Sequence, residues 1–562
     1  MTDVASLRPI AAVLVSVVAI PLIVGSHGRP NLREAWTMLA ALTKLAIVGS
    51  MVPGVLSGTV YVTDLGTMVA DINFALRVDA LGLLFGLLAS ALWVITSLYS
   101  IGYMRGLSEH NQTRYFASFA ASLATAIGVA FASNLVTLFI FYELLTVATY
   151  PLVAHDEDDE ARAAGRKYLA YTFIGGVAVL TGTLLVYLLV GTTAFSAGGI
   201  AGLATSDPAL ARLAFALLAG GFGVKAALMP VHSWLPDAMV APTPVSGLLH
   251  AVAVVKSGVF GIARVTLDVF GPEAVQDLGM GLPLAAVAAF TLLTASVIAL
   301  RQDNLKRRLA YSTISQLSYI VLGLGVLSGD AIVGGLLHIP AHAFMKLTLF
   351  FCAGAIHVET HTDDISNMAG IGKRMPLTMT AFAVAAAGMA GIPLIAGFVS
   401  KWYLLIGSVD AGQGIFAIAL LVSGMLNIGY FWPIVYQAFF ESEDDHDSKP
   451  LLEAPFGGRF ASESSPEETA VVADGGDADT SHATADGVDH HDGSSEHDDH
   501  HHGGPPVGGW ERTGWRGGES TWFMLGPILT AAGGAVAIGV VPATFLFLRI
   551  VTLVAENVGV PV

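Results

Sequence analysis

Apolar residues in this chain gather in long runs and do not alternate or repeat along a single face. Runs of about 18 or more residues, enough for a helix to cross a hydrocarbon layer roughly 30 Å thick, recur from near the first residue to the last. They predict fourteen spans, at 9–26, 36–56, 79–103, 115–132, 134–153, 167–190, 211–229, 243–266, 281–300, 306–327, 331–357, 376–406, 413–439 and 521–553. The connections alternate in charge. Those after spans 1, 3, 5, 9 and 11 hold thirteen lysines and arginines, from Arg29 and Arg33 through Arg105, Arg166 and Arg307 to Arg374, against Arg77, Arg212 and Arg264 on the other side. Basic loops stay on the cytoplasmic side of a membrane. The alternation therefore predicts both termini outside, and a miscounted helix would scramble it.

Two spans are interrupted. The seventh reads GFGVKAALMPVHSWLPDAM and the twelfth AAAGMAGIPLIAGFVSKWYLL, each with a lysine close to a proline. Proline removes a backbone donor and breaks the helix, which lipid tolerates only where protein or water satisfies the freed groups. Two broken helices five spans apart point to a pair of inverted five-helix repeats with the working site at the breaks. The predicted fold class is an all-α polytopic membrane protein of about 14 helices. Its expected parts are helices 1–3 (1–110), a first repeat unit (111–270), a second (271–440), a polar loop (441–515) and a last helix (516–562).

Composition agrees with lipid as the solvent. Of 562 residues, 54% are hydrophobic and only 13% charged, with mean hydropathy +0.67, where soluble domains carry about a quarter charged residues. The chain is expected in the cell membrane, with its first span a retained helix because it lacks the basic start and cleavage site of a leader. The net charge of −17 looks like an acidic surface until it is mapped. Residues 441–520 carry 20 acidic and 4 basic side chains, so sixteen of the seventeen net negatives sit in one loop. That loop also holds eight of the 17 histidines, ending in EHDDHHH. Low hydrophobicity with high charge predicts disorder on the cytoplasmic side, either as a solvated linker or as a trap for metal ions or protons.

A single cysteine, Cys352, excludes a disulfide framework, a cysteine-ligated iron–sulfur cluster and a Cys-rich zinc site. No phosphate- or dinucleotide-binding glycine pattern appears in a strand-to-helix context. No cofactor, resident metal or nucleic-acid partner is expected, and RQDNLKRR (301–308) is explained by orientation in the membrane.

The chemistry lies in the charges that remain inside the spans. Glu143, Lys225, Lys256, Lys346 and Lys401 each sit at bilayer depth, where a charge costs roughly 2.5–3.5 kcal/mol. Their sum, on the order of 10 kcal/mol, rivals the net stability of a domain, so function is the economical explanation. Glu143 has no basic residue one turn away, and Lys225 in the broken seventh span is its natural partner across helices; a static buried pair is the alternative. Desolvation disfavours a charged amine, which makes a buried lysine such as Lys256 a proton carrier. His250, nearby on the same span, titrates near neutrality or is simply a hydrogen-bonded core residue. His338, His342 and Lys346, at i, i+4 and i+8, line one stripe of a helix and form a relay. Lys401 ends the series, as an exit carrier or as a side chain snorkelling to an interface.

The segments FYELL, VKAALMPVHSWLPDAMVAPTPVSGLLHAVAVVKSGVFGIAR, RQDNLKRRLAYSTISQLSY, HIPAHAFMKLTLFFCAGAIHVETHTDDI and GIPLIAGFVSK, in this order over about residues 70–440, resemble the antiporter-like subunits shared by Mrp-type Na⁺/H⁺ antiporters and respiratory complex I. The resemblance implies a fourteen-helix fold with inverted repeats. It implies Glu143 and Lys225 as the charge pair of the first half-channel, His250 and Lys256 as the bridge, His338, His342 and Lys346 as the inner relay, and Lys401 as the terminal lysine. His250, Lys256 and HVETHTDDI resemble the large A-type Mrp subunit, whereas the length is similar to the D-type. The implied function is proton translocation in a multisubunit antiporter with other membrane subunits as partners, Na⁺ binding elsewhere because the intramembrane charges are mostly cationic. A pump module of a quinone oxidoreductase without its own redox site, or a proton channel energising another transporter, are the alternatives.

Overall fold

The computed structural model describes residues 2–69, 71–441, 503–506, 509–542 and 546–561. The acidic, histidine-rich stretch thus lies, from 442 to 502, outside the described residues. Among the described residues thirteen helices are long and apolar enough to cross a membrane.

In chain order the helices begin with α1 (Arg8–Gly25), α2 (Pro30–Gly49) and the short α3 (Val52–Leu56), followed by α4 (Ala80–Gly106), α5 (Gln112–Phe131), α6 (Leu135–Val153) and α7 (Asp159–Val190). Next come α8 (Pro208–Lys225), α9 (Trp234–Asp237), α10 (Thr243–Ala251), α11 (Val254–Arg264) and α12 (Pro272–Asp277). Then follow α13 (Gly281–Leu300), α14 (Leu305–Val326), α15 (Gly329–Thr360), α16 (Pro376–Ala390), α17 (Ala396–Asp410), α18 (Gly414–Phe440), α19 (Trp522–Val540) and α20 (Leu546–Asn557). The helix starts are legible in local chemistry. Asp79, Asn134, Asp158, Asp207, Asn304 and Ser328 each stand one residue before a helix and accept from a backbone N–H of its first turn, which satisfies donors that lipid cannot.

Three features depart from the sequence reading. A three-stranded sheet, β1 (Thr2–Ala5), β2 (Thr59–Val69) and β3 (Ile72–Val78), pairs β1 parallel and β3 antiparallel to β2. The first strand precedes span 1, and the other two fill the stretch between spans 2 and 3. The region read as one last span at 521–553 is divided between α19 and α20. The eighth span, read as continuous, is broken at Val252–Ala253, between His250 and Lys256. No proline marks that break; the backbone simply leaves helical geometry there, with the N–H groups of Val252 and Ala253 both directed at the carbonyl of Leu248.

The interruptions anticipated in spans 7 and 12 are present. The seventh ends at Lys225, and the buried Trp234 donates its indole N–H to the Val224 carbonyl at 2.8 Å. The twelfth divides into α16 and α17 around Gly391, whose φ of +93° belongs to the left-handed region. Between them runs α15, wholly buried in its apolar window, as are α10 and α11. Its 32 residues continue through Pro340, which leaves the helix short of one backbone donor between His338 and His342.

Glycines set how closely the central helices approach. A Cβ on Gly258 of α11 would overlap the Ala226 nitrogen and lie 2.7 Å from the Lys225 carbonyl carbon, so α11 rests directly on the broken end of α8. Gly175 and Gly221 face each other across α7 and α8 in the same way. Further ties come from buried ions. Arg264 bridges Asp79 at 2.6 Å and Asp268 at 2.7 Å, joining the end of α11 to the start of α4. Arg308, from the basic cluster, is buried and donates to the carbonyls of Gln302 and Tyr430. Glu519 is buried and caps α16, accepting from the N–H groups of Leu377 and Thr378 at 2.9 and 2.7 Å.

The Gly258 contact is with backbone and has no room to relax. Gly258→Ala is expected to lower stability by about 1–3 kcal/mol through overpacking, read as a lower thermal unfolding midpoint in detergent. Gly220→Ala, where a Cβ meets nothing within 4 Å, serves as the control and leaves the midpoint unchanged or raised.

Candidate functional site

The ionisable groups predicted at bilayer depth lie inside the helix bundle. Lys225, Lys256, Lys346, His250, His338 and His342 are all fully buried, while Glu143 and Lys401 are partly covered.

In the first half, Glu143 and Lys225 are neighbours without a direct bridge. Among the described residues no ion pair within 4.0 Å joins them. Lys225 Nζ instead donates to the carbonyl of Tyr142 at 2.5 Å and sits 3.4 Å from the centre of that residue's ring. Its charge still acts on the adjacent carboxylate. Glu143 Oε1 is buried with no hydrogen-bond partner, and it fits there because Gly176 has no side chain: a Cβ at that position would overlap it.

The centre is held by a bridge between two helices. Lys256 Nζ of α11 and His342 Nδ1 of α15 are 2.9 Å apart. An ammonium donates to a bare ring nitrogen and a neutral amine accepts from a protonated one, so this contact holds one proton in either of two places. His250 lies nearby, its ring 4.9 Å from that of Phe350, and both its nitrogens are without partners. The break at Val252–Ala253 puts it on a different helical segment from Lys256.

The stripe on α15 is real as a line and differentiated in its partners. The His338 and His342 rings are 6.0 Å apart. His338 Nε2 meets Gln316 Oε1 at 2.9 Å and its Nδ1 meets Ser400 Oγ at 2.8 Å. With the amide of Gln316 donating to Asn427 Oδ1 at 3.2 Å, its oxygen can only accept, so His338 carries a proton on Nε2. Lys346 donates to the Leu309 carbonyl at 2.8 Å and to the Ser312 hydroxyl. Lys401 donates to Met389 O, at the break of span twelve, at 2.5 Å, and its amine stands 4.7 Å from the ring of Tyr319, which stacks on His338.

Sequence reasoning missed several participants. Lys44 on α2 is fully buried, donates to the Leu123 carbonyl at 3.0 Å and lies 4.8 Å from the Trp93 ring. A lysine within span 2 was a visible signal of the same kind as the other five charges. Gln316, Ser400, Ser312 and Asn427 carried no such signal, because neutral polar residues are common in spanning helices. On the face where the basic loops lie, a cavity of about 510 Å³ is lined by Glu160, Lys167, Asp237, Lys306, Arg307 and Asp363.

Comparison with known proteins decides the family. The family described as NADH:quinone oxidoreductase/Mrp antiporter, transmembrane, matches residues 132–427. The chain belongs to this family. A relative in Desulforudis audaxviator, named as the N subunit of an NADH-quinone oxidoreductase, is 34% identical over 367 residues, 64% of this chain and 72% of that protein. Another in Alkalihalophilus pseudofirmus, named as the A-type subunit of a Na⁺/H⁺ antiporter, is 37% identical over 348 residues, 59% of this chain and 42% of its own length. The chain thus spans about half the length, 40 to 54%, of the antiporter relatives it matches. Among solved structures, a chain of the Mrp complex from Dietzia superposes with a TM-score of 0.76 at 22% identity, covering 98% of both chains, which fixes the fold as that of a multi-pass subunit of this kind.

The Lys256–His342 contact yields a thermodynamic prediction. Lys256→Met strips a buried imidazole of its partner and His342→Phe strands a buried amine, each expected to cost about 1–3 kcal/mol. The double variant removes both polar groups, so its loss in thermal unfolding should fall well short of the sum. Strictly additive losses would mean that the two groups are energetically independent.

Proposed function

We propose that this chain translocates protons as a membrane subunit of a multisubunit monovalent cation/H⁺ antiporter. The observation that carries this reading is the Lys256–His342 contact between two buried bases on two interior helices, continued along α15 to His338 and from there to Ser400 on α17, next to Lys401. Glu143 and Lys225 serve as the charge pair of the first half, His250 and Lys256 as the bridge, His338, His342 and Lys346 as the inner relay and Lys401 as the terminal group. In this reading residues 111–270 and 271–440 are the two inverted units, each with its broken helix at the working depth. Both termini lie outside and the acidic loop is cytoplasmic, which makes the cavity beside Lys167 and Asp237 the cytoplasmic water entry.

The partners are other membrane subunits, and the coupled cation crosses elsewhere. Hard cations need oxygen ligands, and this interior is mostly cationic. Na⁺ is the expected coupling ion, although one relative is named for K⁺ in its place. A second reading, a proton-pumping membrane subunit of a quinone oxidoreductase without a redox site of its own, is favoured by the quinone oxidoreductase relative, of which the chain covers the larger share. Copurification from native membranes separates them: redox subunits support the second reading, small membrane subunits the first.

In vesicles carrying the intact complex, Glu143→Gln and Lys225→Ala should each abolish Na⁺-dependent collapse of a pH gradient. Full activity in either variant would remove both residues from the pathway.

A further inference from the structure

One group of ionisable residues has no part in the buried line. Glu109 and His110 occupy the connection between α4 and α5, and His155 follows the end of α6. Each offers one ligand atom, and the three atoms all lie within 4.8 Å of one another.

His155 is the informative member. Its side chain is fully buried, yet both ring nitrogens lack a hydrogen-bond partner, which in a protein interior leaves a polar group unsatisfied and is unfavourable. The backbone carbonyl of the same residue is well used: it accepts from Arg114 at 2.8 Å and from His110 Nε2 at 3.1 Å. Because a carbonyl only accepts, His110 carries a proton on Nε2, and in the neutral ring its Nδ1 lone pair is free. That Nδ1 stands 3.6 Å from Glu109 Oε2. Metal-bound imidazoles typically donate their second nitrogen to a carbonyl or carboxylate in this manner, which fixes both tautomer and ring direction. The two imidazole rings lie 4.8 Å apart and tilted by 33°. The nearest cation, Arg114, is paired with Glu157, so its charge is offset.

We propose that Glu109, His110 and His155 bind a divalent cation of the zinc class. Two imidazoles and one carboxylate suit a borderline cation better than Mg²⁺ or Ca²⁺, which take oxygen ligands. Tetrahedral bonds of about 2.0–2.2 Å place ligand atoms about 3.4 Å apart; the Glu109–His110 pair is already near that spacing, and the third ligand needs a shift of about 1 Å. Water fills the fourth position. Bound there, the ion ties the α4–α5 connection to the end of α6, on the face that carries the basic loops.

The test is equilibrium dialysis of the full chain, purified in detergent, against Zn²⁺. The histidine-rich stretch at 442–502 contributes the same background binding to every variant. His110→Gln, His155→Gln and Glu109→Gln should each lose one equivalent of bound Zn²⁺ relative to the unaltered chain, and Co²⁺ in its place should show a tetrahedral visible band that all three variants lack. Equal stoichiometry and spectra in the four proteins would overturn the proposal. So would a loss confined to His155→Gln, since Glu109 and His110 are the accessible ligands whose replacement leaves packing intact.

Discussion

Amines buried without carboxylates are the constraint around which the interior of this protein is arranged. Among the described residues, none of Lys44, Lys225, Lys256, Lys346 and Lys401 has an acidic oxygen within 4.0 Å. Four of them point at main-chain carbonyls, those of Leu123, Tyr142, Leu309 and Met389, and the fifth at an imidazole. A carboxylate partner would hold the charge in place, and breaking such a pair leaves an uncompensated ion. A carbonyl dipole or a ring nitrogen supports a proton more weakly. The cost of burying each amine is thereby kept within what packing can offset, and the proton is left transferable.

A helical carbonyl keeps a second lone pair beyond its helix bond, and those of Leu123, Tyr142 and Leu309 accept an amine from within α5, α6 and α14. Only the fourth acceptor stands at a break. Met389 lies at the end of α16, beside the break of span twelve, and Lys225 is the last residue of α8. Pro340 leaves α15 short of a donor between its two histidines. Close approach is equally necessary, because a lysine reaches another helix's carbonyl only if the axes are near. Gly258 on α11 and Gly176 opposite Glu143 supply that clearance, and a side chain at either would displace the group beside it.

The charges were legible in the sequence because a lysine or glutamate stands out in an apolar run, and the proline-marked breaks because proline has a fixed backbone effect. Lys44 apart, what escaped is what leaves no such mark. The Val252–Ala253 break contains only β-branched and small apolar residues, and it separates His250 from Lys256 through tertiary packing alone. The short sheet at Thr2–Ala5, Thr59–Val69 and Ile72–Val78 lies in segments too short and too interrupted by polar residues to read as spans, and its first strand pairs with one far away in the chain. Gln316 and Ser400 matter only because the fold brings α14 and α17 to His338. His155 stands in a polar turn, and its burial depends on Tyr115 of α5 and on His110 of the α4–α5 connection. The direct Glu143–Lys225 bridge read from charge complementarity is replaced by a contact to the neighbouring carbonyl, a geometry that charge alone does not specify.

The same arrangement bears on what can travel. A proton needs only a chain of bases spaced for transfer, whereas a bare alkali cation needs several oxygens converging on one point. Along this interior the carbonyl oxygens that hold the amines are dispersed, each receiving one amine, and the carboxylates Asp79 and Asp268 are both bridged by Arg264 at the end of α11. Among the described residues Glu143 stands at mid-span with an uncommitted oxygen, beside Lys225, whose ammonium form repels an entering cation. On the function proposed above, the same electrostatic device that favours protons disfavours sodium, and coupling between the two ions comes from conformational or electrostatic linkage to a separate cation path.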